Sequence, residues 1–361
     1  MFNIEVEKEK IDTPALLIDL DLLEKNLKTM SDFFKNKKAK LRAHTKVHRT
    51  PILAHKQIEY GAKGICCQKV AEAEVMIASG IKDVIVTNEI VTLEKINRLV
   101  ALSDYAEISV PVDDISNAKL LSKVAFNKKK KLKVLIDIHM GSNRCGVEPG
   151  EPALKLAKQI HELEGLDLVG LMGFEGHISG IEPREKRRGE IEKLEGQLIS
   201  TKELIEKSGI DIKEVSTGST GTYNVSGEIL GVTEVQAGTY ILMDSGYHQH
   251  VPEFYCALSI LSTVISKPSS DRFITDAGLM SMYAHNQLPK IVGPSNFKVI
   301  SVHAENTIVK NVKSEKINIG EKIEFIPPYL DGTVKLFDKF YGIRKDKIET
   351  VWKISGRDTS N

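Results

Sequence analysis

Short apolar runs rich in β-branched residues alternate with longer charged stretches between residues 41 and 240. The charged stretches have the periodicity of amphipathic helices over residues 91–102, 114–126, 152–163 and 184–207, with a weaker helical pattern over 218–233. This alternation is typical of repeated βα units. The eight apolar runs, each a predicted strand, begin near Leu41, Ile65, Val84, Ile108, Val134, Val169, Val215 and Val235.

Eight parallel strands, each followed by a helix, close most economically into a (β/α)8 barrel. We therefore predict an α/β protein built on such a TIM barrel over residues 15–250, with a doubly wound open sheet as the alternative. A further strand, Ala15 to Leu20, precedes the eight and is expected to pair with the tail of the chain.

The pattern changes after residue 250, where alternating apolar and polar positions replace the long helices. Such alternation predicts a mostly antiparallel β domain. We expect this domain to comprise residues 251–361 with 1–14 and to close the active site. The predicted strands of the tail cover residues 259–266, 272–276, 297–302, 322–326 and 333–337.

The composition is that of an ordinary globular protein, with 41% hydrophobic and 27% charged residues and a net charge of +1. No charge excess indicates a nucleic-acid partner, and no apolar run is long enough for a membrane span. The first ten residues lack the apolar segment of a signal peptide, so we expect a cytoplasmic protein. Four cysteines are too few for a disulfide framework and are expected to be buried free thiols.

Polar residues cluster where the predicted barrel strands end. Barrel enzymes place their chemistry on the loops at the C-terminal ends of the strands, so these clusters predict one active site. In strand order, omitting the fourth, they are His44 to His48, Gln68-Lys69, Asn88-Glu89, Arg144, Glu175 to His177, Thr217 to Tyr223, and Gln236 to Tyr240.

Two glycine turns at adjacent strand ends are suited to a phosphate group. The run Thr217-Gly218-Ser219-Thr220-Gly221-Thr222 offers consecutive backbone N–H groups and hydroxyls, and Gln236-Ala237-Gly238-Thr239-Tyr240 adds a second turn. Taken alone, either run is equally compatible with a simple tight turn. Neither matches the P-loop or the dinucleotide fingerprint, which favours a phosphorylated cofactor over a nucleotide.

These motifs resemble the fold-type III pyridoxal phosphate (PLP) enzymes related to alanine racemase, in the branch that includes D-threonine aldolase and D-serine dehydratase. The resemblance covers nearly the whole chain. It is carried by DTPAL (12–16), RAHTKVH (42–48), GICCQKVAEAE (64–74), NRCGV (143–147), QAGTY (236–240) and LSTVISKP (261–268).

The resemblance implies roles for individual residues. Lys46 matches the lysine that carries the cofactor as a Schiff base, and Arg144 matches the arginine facing the phenolic oxygen of the cofactor and the substrate. Gln236 stands where alanine racemase has an arginine against the pyridine nitrogen, and a neutral partner there favours lyase or elimination steps. His177 is expected beside the cofactor ring. The other cofactor-binding candidates are His44, Gln68, Thr217, Gly218, Ser219, Thr220, Gly221, Gly238, Thr239 and Tyr240.

The tail departs from its relatives at the expected metal site. Lyases of this branch bind a divalent metal through a His-x-Asp or His-x-Cys pair. Here Asp331 is present, but Tyr329 stands at the histidine position, and tyrosine is a rare ligand for divalent metals. His303 is a candidate displaced ligand, and the run from Asp244 to His250 is another.

The resemblance therefore implies a PLP-dependent lyase acting on a D-3-hydroxy amino acid, with retro-aldol cleavage to glycine and an aldehyde. A dehydratase that eliminates water is an alternative, and a racemase using Tyr329 as acid or base is another if no metal binds. A non-catalytic PLP carrier is disfavoured because such proteins lack the tail β domain. The resemblance also implies a homodimer.

Overall fold

The computed structural model describes residues 6–285, 287–293 and 295–359, which form two compact units. One unit takes in the described residues among 1–29, 47–50 and 239–358, and the other takes in 30–46 and 51–238 with Thr359. Residues 1–5, 286, 294, 360 and 361 lie outside the described part. The prediction of the compartment used residues 1–5 among others, and the predicted tail domain, 251–361 with 1–14, includes all nine. The predicted domain boundaries stay a prediction.

The predicted barrel is confirmed as a closed ring of eight parallel strands, which excludes the open sheet. The chain first forms strand β1 (Ala15–Asp19) and helix α1 (Leu20–Phe34). The barrel strands are β2 (Lys40–His44), β3 (Gly64–Cys67), β4 (Asp83–Val86), β5 (Glu107–Val112), β6 (Leu132–Ile138), β7 (Leu166–Gly173), β8 (Glu214–Thr217) and β9 (Glu234–Ala237). The ring closes where β2 pairs with β9, with Ala43 opposite Ala237.

Helices connect most of these strands, close to their predicted bounds. The predicted helix over 184–207 is confirmed as Arg184–Lys207, whereas the weak pattern over 218–233 forms only the short helix Tyr223–Ser226. The helices that follow α1 are α2 (Pro51–Glu59), α3 (Val70–Ala78), α4 (Leu93–Leu102), α5 (Ile115–Asn127), α6 (Glu151–His161), α7 (Arg184–Lys207), α8 (Tyr223–Ser226) and α9 (Ser245–His248).

A buried ion pair joins the closing seam of the barrel. The side chain of Arg42 on β2 is only 2% exposed, and its Nε lies 2.8 Å from an oxygen of Glu234 on β9, which is fully buried. Its Nη1 lies 2.7 Å from Asp83 at the start of β4. An added Cβ at Gly64 on β3 would lie 2.8 Å from the backbone oxygen of Asp83, so β3 and β4 approach closely beside this ion pair. Charge pairing therefore fixes the seam, and close backbone contact fixes the neighbouring strands.

The other unit contains the antiparallel sheet predicted for the tail. Strand β1 pairs with β10 (Leu258–Ser269) in the antiparallel sense, which confirms that the lead strand joins the tail. It also pairs in parallel with β16 (Lys339–Arg344). The remaining strands are β11 (Arg272–Thr275), β12 (Lys290–Val292), β13 (Phe297–Val302), β14 (Thr307–Asn311), β15 (Lys322–Ile326) and β17 (Lys347–Lys353).

One predicted tail strand is wrong, since residues 330–334 form helix α10 (Leu330–Val334) rather than a strand over 333–337. Leu330 and Val334 are both fully buried, and residues four apart lie on one face of a helix. Strands β12, β14, β16 and β17, which have three to seven residues each, were not predicted. The cysteines are free thiols as predicted, although Cys145 and Cys256 are only partly buried.

Candidate active site

Five of the predicted site residues line one cavity at the C-terminal ends of the barrel strands. The space between these residues is about 350 Å³, part of which is open to solvent. Three of its residues, Thr87, Met172 and Phe174, were not predicted, although all three follow or end a barrel strand. The full lining is His44, Lys46, Gln68, Thr87, Arg144, Met172, Phe174 and Gln236.

Lys46 lies on a short 3₁₀ turn, Thr45–Val47, directly after β2. The hydroxyl of Thr45 donates to the carbonyl oxygen of Cys66 over 2.9 Å, which ties the turn to the neighbouring strand. The backbone N–H of Lys46 donates to Nδ1 of His44 over 3.4 Å. Because Nδ1 accepts that bond, the proton of the neutral imidazole is assigned to Nε2, which lies 3.2 Å from the Thr87 hydroxyl.

Gln236 is held by a chain of polar side chains beneath the cavity. Its Nε2 donates to the hydroxyl of Ser216 over 2.8 Å, and Ser216 is hydrogen-bonded to the Glu234 carboxylate. Burial alone would raise the pKa of Glu234, but the Arg42 guanidinium, together with Lys63 and Ser216, outweighs burial and holds that pKa below its usual value. The barrel seam therefore orients the amide of a cavity residue.

Arg144 and Phe174 face each other across the cavity wall. The guanidinium carbon lies 4.9 Å from the centre of the Phe174 ring, a cation–π contact that holds an otherwise exposed side chain in place. Nearby, burial raises the pKa of Asp137 to about 8, with the Glu89 carboxylate adding to the shift and Arg144 opposing it. A fixed guanidinium here suits an anionic group of a ligand.

Three side chains beside this wall form a candidate metal group that the sequence did not predict. The ligand atoms of Glu89, Asp113 and Cys145 all lie within 4.8 Å of one another. Each is partly buried, and each follows a barrel strand. Their positions after strands were visible in the sequence, but their spacing along the chain matches no metal motif.

The glycine-rich loop after β8 is buried and is folded on its own side chains. The N–H groups of Gly218, Ser219 and Gly221 donate to side chains of Glu175, Thr222 and Ser219 respectively. Gly218 has a φ of +85°, and an added Cβ would lie 2.7 Å from Val235. The loop thus has a single built shape, and its role toward phosphate stays a prediction.

The second glycine turn leads from the barrel into a 3₁₀ turn, Thr239–Ile241. Gly238 directly follows β9. Tyr240 is 1% exposed, and its ring lies 5.7 Å from that of Phe254, so its side chain packs in a core. The predicted contacts of Gly238, Thr239 and Tyr240 with the cofactor are not tested by these positions.

His177 is the exposed residue of a 3₁₀ turn, Gly176–Ile178, and lies next to Gly141. It is not among the described residues that line the cavity. Its predicted place beside the cofactor ring therefore stays a prediction.

Tyr329 and Asp331 lie at the start of α10 in the sheet-containing unit. The Tyr329 ring packs 5.2 Å from that of Tyr283, and burial, with Asp331 next in effect, raises the pKa of its hydroxyl to about 12. His303 lies 3.2 Å from the hydroxyl of Ser301. Within the described ranges, neither Asp331 nor His303 belongs to a group of three possible metal ligands.

Comparisons with known proteins match this chain along its length. A family model described as the N-terminal domain of alanine racemase matches residues 18–246, and one described as a putative serine dehydratase domain matches 257–343. A D-threonine aldolase from Arthrobacter sp is 33% identical over 356 residues, covering 97% of this chain and 94% of that protein. A 3-hydroxy-D-aspartate aldolase from Paracoccus denitrificans (strain Pd 1222) is 32% identical, with 98% and 94% covered.

A solved structure gives the same result. The D-threonine aldolase from Filomicrobium marinum matches with a TM-score of 0.96 at 31% identity, and 99% of both chains is covered. The closed barrel and its cavity define a PLP enzyme of the alanine racemase type. This chain belongs to that fold-type III family, and the relatives that it resembles over its full length include D-hydroxy amino acid aldolases.

The chemistry of the cavity fits pyridoxal phosphate. Lys46 supplies the primary amine that a covalent link to an aldehyde requires. Gln68, Gln236 and Arg144 supply amides and a guanidinium at the same wall. The family metal site fits less well, because Tyr329 replaces the expected histidine and its hydroxyl stays protonated at neutral pH.

Proposed function

We propose that this protein is a PLP-dependent lyase that cleaves a D-3-hydroxy amino acid into glycine and an aldehyde, as a D-threonine aldolase does. The observation that carries the proposal is the convergence of Lys46, His44, Arg144 and Gln236 on one cavity, in a chain 33% identical to a D-threonine aldolase over nearly its full length. The relatives act on β-hydroxylated D-amino acids by their names, and the proposed substrate class follows them.

The residues of the cavity divide the work of binding. Lys46 would anchor the cofactor covalently through Nζ, and Arg144, fixed against Phe174, would hold an anionic oxygen. Gln236 would face the pyridine nitrogen as a neutral partner, its amide oriented by Ser216. When bound, PLP supplies the electron sink for breaking a bond to Cα.

Retro-aldol cleavage also needs a base for the proton of the β-hydroxyl group. The Lys46 amine, which lines the cavity, would serve as that base when it no longer holds the cofactor, because both ring nitrogens of His44 are already in hydrogen bonds. Nε2 of His44 lies 3.2 Å from the Thr87 hydroxyl, so the imidazole is held in place at the cavity wall. No step is assigned to a metal.

One observation favours a second candidate, a dehydratase that eliminates water from the same substrate class. The family model matching residues 257–343 is described as a putative serine dehydratase domain. A D-threo-3-hydroxyaspartate dehydratase from Delftia sp. (strain HT23) is also 27% identical over 369 residues. A racemase remains the third candidate predicted from the sequence.

The assembly and compartment follow the sequence predictions. We propose a cytoplasmic homodimer that binds a small amino acid and no nucleic acid. Among the described helices, none combines the length and apolar character needed to cross a membrane. Size-exclusion chromatography with light scattering measures the subunit number directly, and a monomeric mass contradicts the dimer.

Product analysis tests the proposed reaction. The purified protein is incubated with D-threonine, D-serine and D-alanine, with and without manganese or zinc. We expect glycine and acetaldehyde from D-threonine. Pyruvate from D-serine would instead establish the dehydratase, and loss of optical activity from D-alanine would establish a racemase. Borohydride reduction followed by peptide mass analysis should place the cofactor on Lys46, and a cofactor fixed elsewhere contradicts the anchor.

A further inference from the structure

Glu175 is a fully buried residue whose carboxylate contacts the glycine-rich loop, residues 217–222. It follows β7, and its carboxylate accepts hydrogen bonds from the loop after β8. One oxygen accepts from the Thr217 hydroxyl over 3.0 Å and from the Gly218 N–H over 3.2 Å, and the other accepts from the Thr222 hydroxyl over 2.7 Å. Three donors of one loop therefore point at a single side chain.

The segment after Glu175 holds the same loop from a second side. The hydroxyls of Ser179 and Ser219 are 3.1 Å apart. An added Cβ at Gly221 would lie 2.4 Å from the Cβ of Ser179, so the two backbones are in close contact there. Residues 175–179 and 217–222 therefore form one packed assembly.

A carboxylate with no access to water must find its hydrogen bonds within the protein. The loop donors meet that need for Glu175, and in doing so they are committed to one geometry. Thr222, which donates to Glu175, also accepts the Ser219 N–H over 2.8 Å, so holding Thr222 in place also holds Ser219. Without the carboxylate, Thr217, Gly218 and Thr222 lose their common partner and the loop can adopt other conformations.

A loop that is ordered before binding does not lose conformational entropy when its ligand arrives, and this raises affinity. We propose that Glu175 is a positioning residue that holds the 217–222 loop in the shape that binds the phosphate group of the cofactor. Glu175 acts through the loop and does not itself bind phosphate. The proposal rests on the proposed function, since it requires PLP as the cofactor.

Comparing PLP with pyridoxal, which lacks the phosphate, isolates this role. Cofactor is removed from the purified protein, and the affinity for each compound is measured from the visible absorbance of the lysine adduct. The ratio of the two dissociation constants reports the phosphate contribution alone. Four variants are compared with the wild type: Glu175→Ala, Glu175→Gln, Thr222→Val, and Thr201→Val as a control.

The control is matched to Thr222→Val. Thr201 is also a buried threonine whose hydroxyl accepts a backbone N–H, from Gly150 over 2.9 Å, but it lies on α7 outside the loop. We expect Thr201→Val to leave the affinity ratio within about two-fold of the wild type, because a single neutral hydrogen bond away from the loop affects general stability only.

Glu175→Ala should weaken PLP binding about 10- to 100-fold while changing pyridoxal binding much less, because three buried loop donors lose their acceptor. Glu175→Gln keeps one acceptor oxygen and should fall between alanine and wild type. Thr222→Val should shift the ratio in the same direction as Glu175→Ala, and it provides the answer if the alanine variant does not fold.

An unchanged ratio in Glu175→Gln and Thr222→Val, or a ratio that favours PLP more than in the wild type, overturns the proposal. Equal losses for both compounds do the same, because they show a role in general stability. If the wild type binds PLP but cleaves no D-hydroxy amino acid, only the proposed reaction falls. If the wild type binds no PLP, both proposals fall.

Discussion

Replacing Arg42 by leucine should destabilise the barrel strongly. The change removes the guanidinium from Glu234, whose side chain is 0% exposed and which has no route to water. The remaining cation is Lys63, whose Nζ lies 3.1 Å from the second oxygen of Glu234 but which is itself partly exposed. Breaking a buried ion pair by removing one partner costs about 3–5 kcal/mol. We expect a loss in this range for Arg42→Leu.

The two acidic partners of Arg42 differ in importance. Asp83 is 34% exposed in its side chain, so water screens its pairing, and a surface pair of this kind contributes about 0–1 kcal/mol. Most of the effect therefore comes from Glu234. Removing both charges with Arg42→Leu and Glu234→Leu together should restore most of the lost stability, because apolar side chains of similar volume often replace a buried pair at little cost.

Urea unfolding followed by circular dichroism measures the free energy of unfolding for the two single variants and the double variant. The chain has one tryptophan, Trp352, on β17 in the sheet-containing unit, so its fluorescence reports that unit separately. A loss below about 1 kcal/mol for Arg42→Leu would refute the reasoning, as would a double variant no more stable than Arg42→Leu.

Two further changes test the same physical reasoning. Gly64→Ala should lower the free energy of unfolding by about 1–3 kcal/mol because its Cβ would lie 2.8 Å from the backbone oxygen of Asp83. Gly189→Ala on α7, where an added Cβ meets no atom within 4 Å, should be neutral or stabilising. Similar effects for the two variants would contradict the steric argument. Glu195 is the second test, because burial, with the nearby Glu175 adding to it, raises its pKa from 4.5 to about 9. Between those pH values the folded protein keeps a proton that the unfolded chain releases. The wild type therefore loses stability as the pH rises through this range. Urea unfolding should show the free energy of unfolding of Glu195→Gln rising relative to that of the wild type by about 1 kcal/mol per pH unit across that range. A difference between the two proteins that does not change with pH would show that Glu195 is ionised in the folded protein.

The barrel could be predicted because its buried strands appear in the sequence as short apolar runs. Seven of the eight strands begin within two residues of their predicted positions, and β7 begins three residues before Val169. A strand covered on both faces must be apolar throughout, which makes such strands visible in the sequence. The tail was predicted less well, because its strands are exposed on one face and carry charges, as in β16 and β17. The sequence predicts a strand over 333–337, where part of a helix lies, because a short apolar run fits either period.

The candidate site was predicted in part for a related reason. Lys46 and Arg144 were predicted because they follow strands and match family motifs. Glu175 was predicted only as part of a polar cluster after a strand, since a glutamate is usually a surface residue and nothing in the nearby sequence shows that it is buried. Its contact with Thr222 joins residues 47 positions apart, and that of Arg42 with Glu234 joins residues 192 apart. Such pairings are decided by the closure of the barrel.

These two buried carboxylates suggest how the cavity keeps its shape. Glu234 connects the barrel seam through Ser216 to Gln236, and Glu175 connects β7 to the glycine-rich loop. Each is a buried acceptor that the fold must satisfy, and Ser216, a partner of Glu234, also binds the amide of the lining residue Gln236. Because an unsatisfied buried charge costs more than most local rearrangements, the groups that pair with Glu234 and Glu175 have little freedom to move. The rigidity that a covalent cofactor site needs therefore comes from residues that do not touch the cofactor.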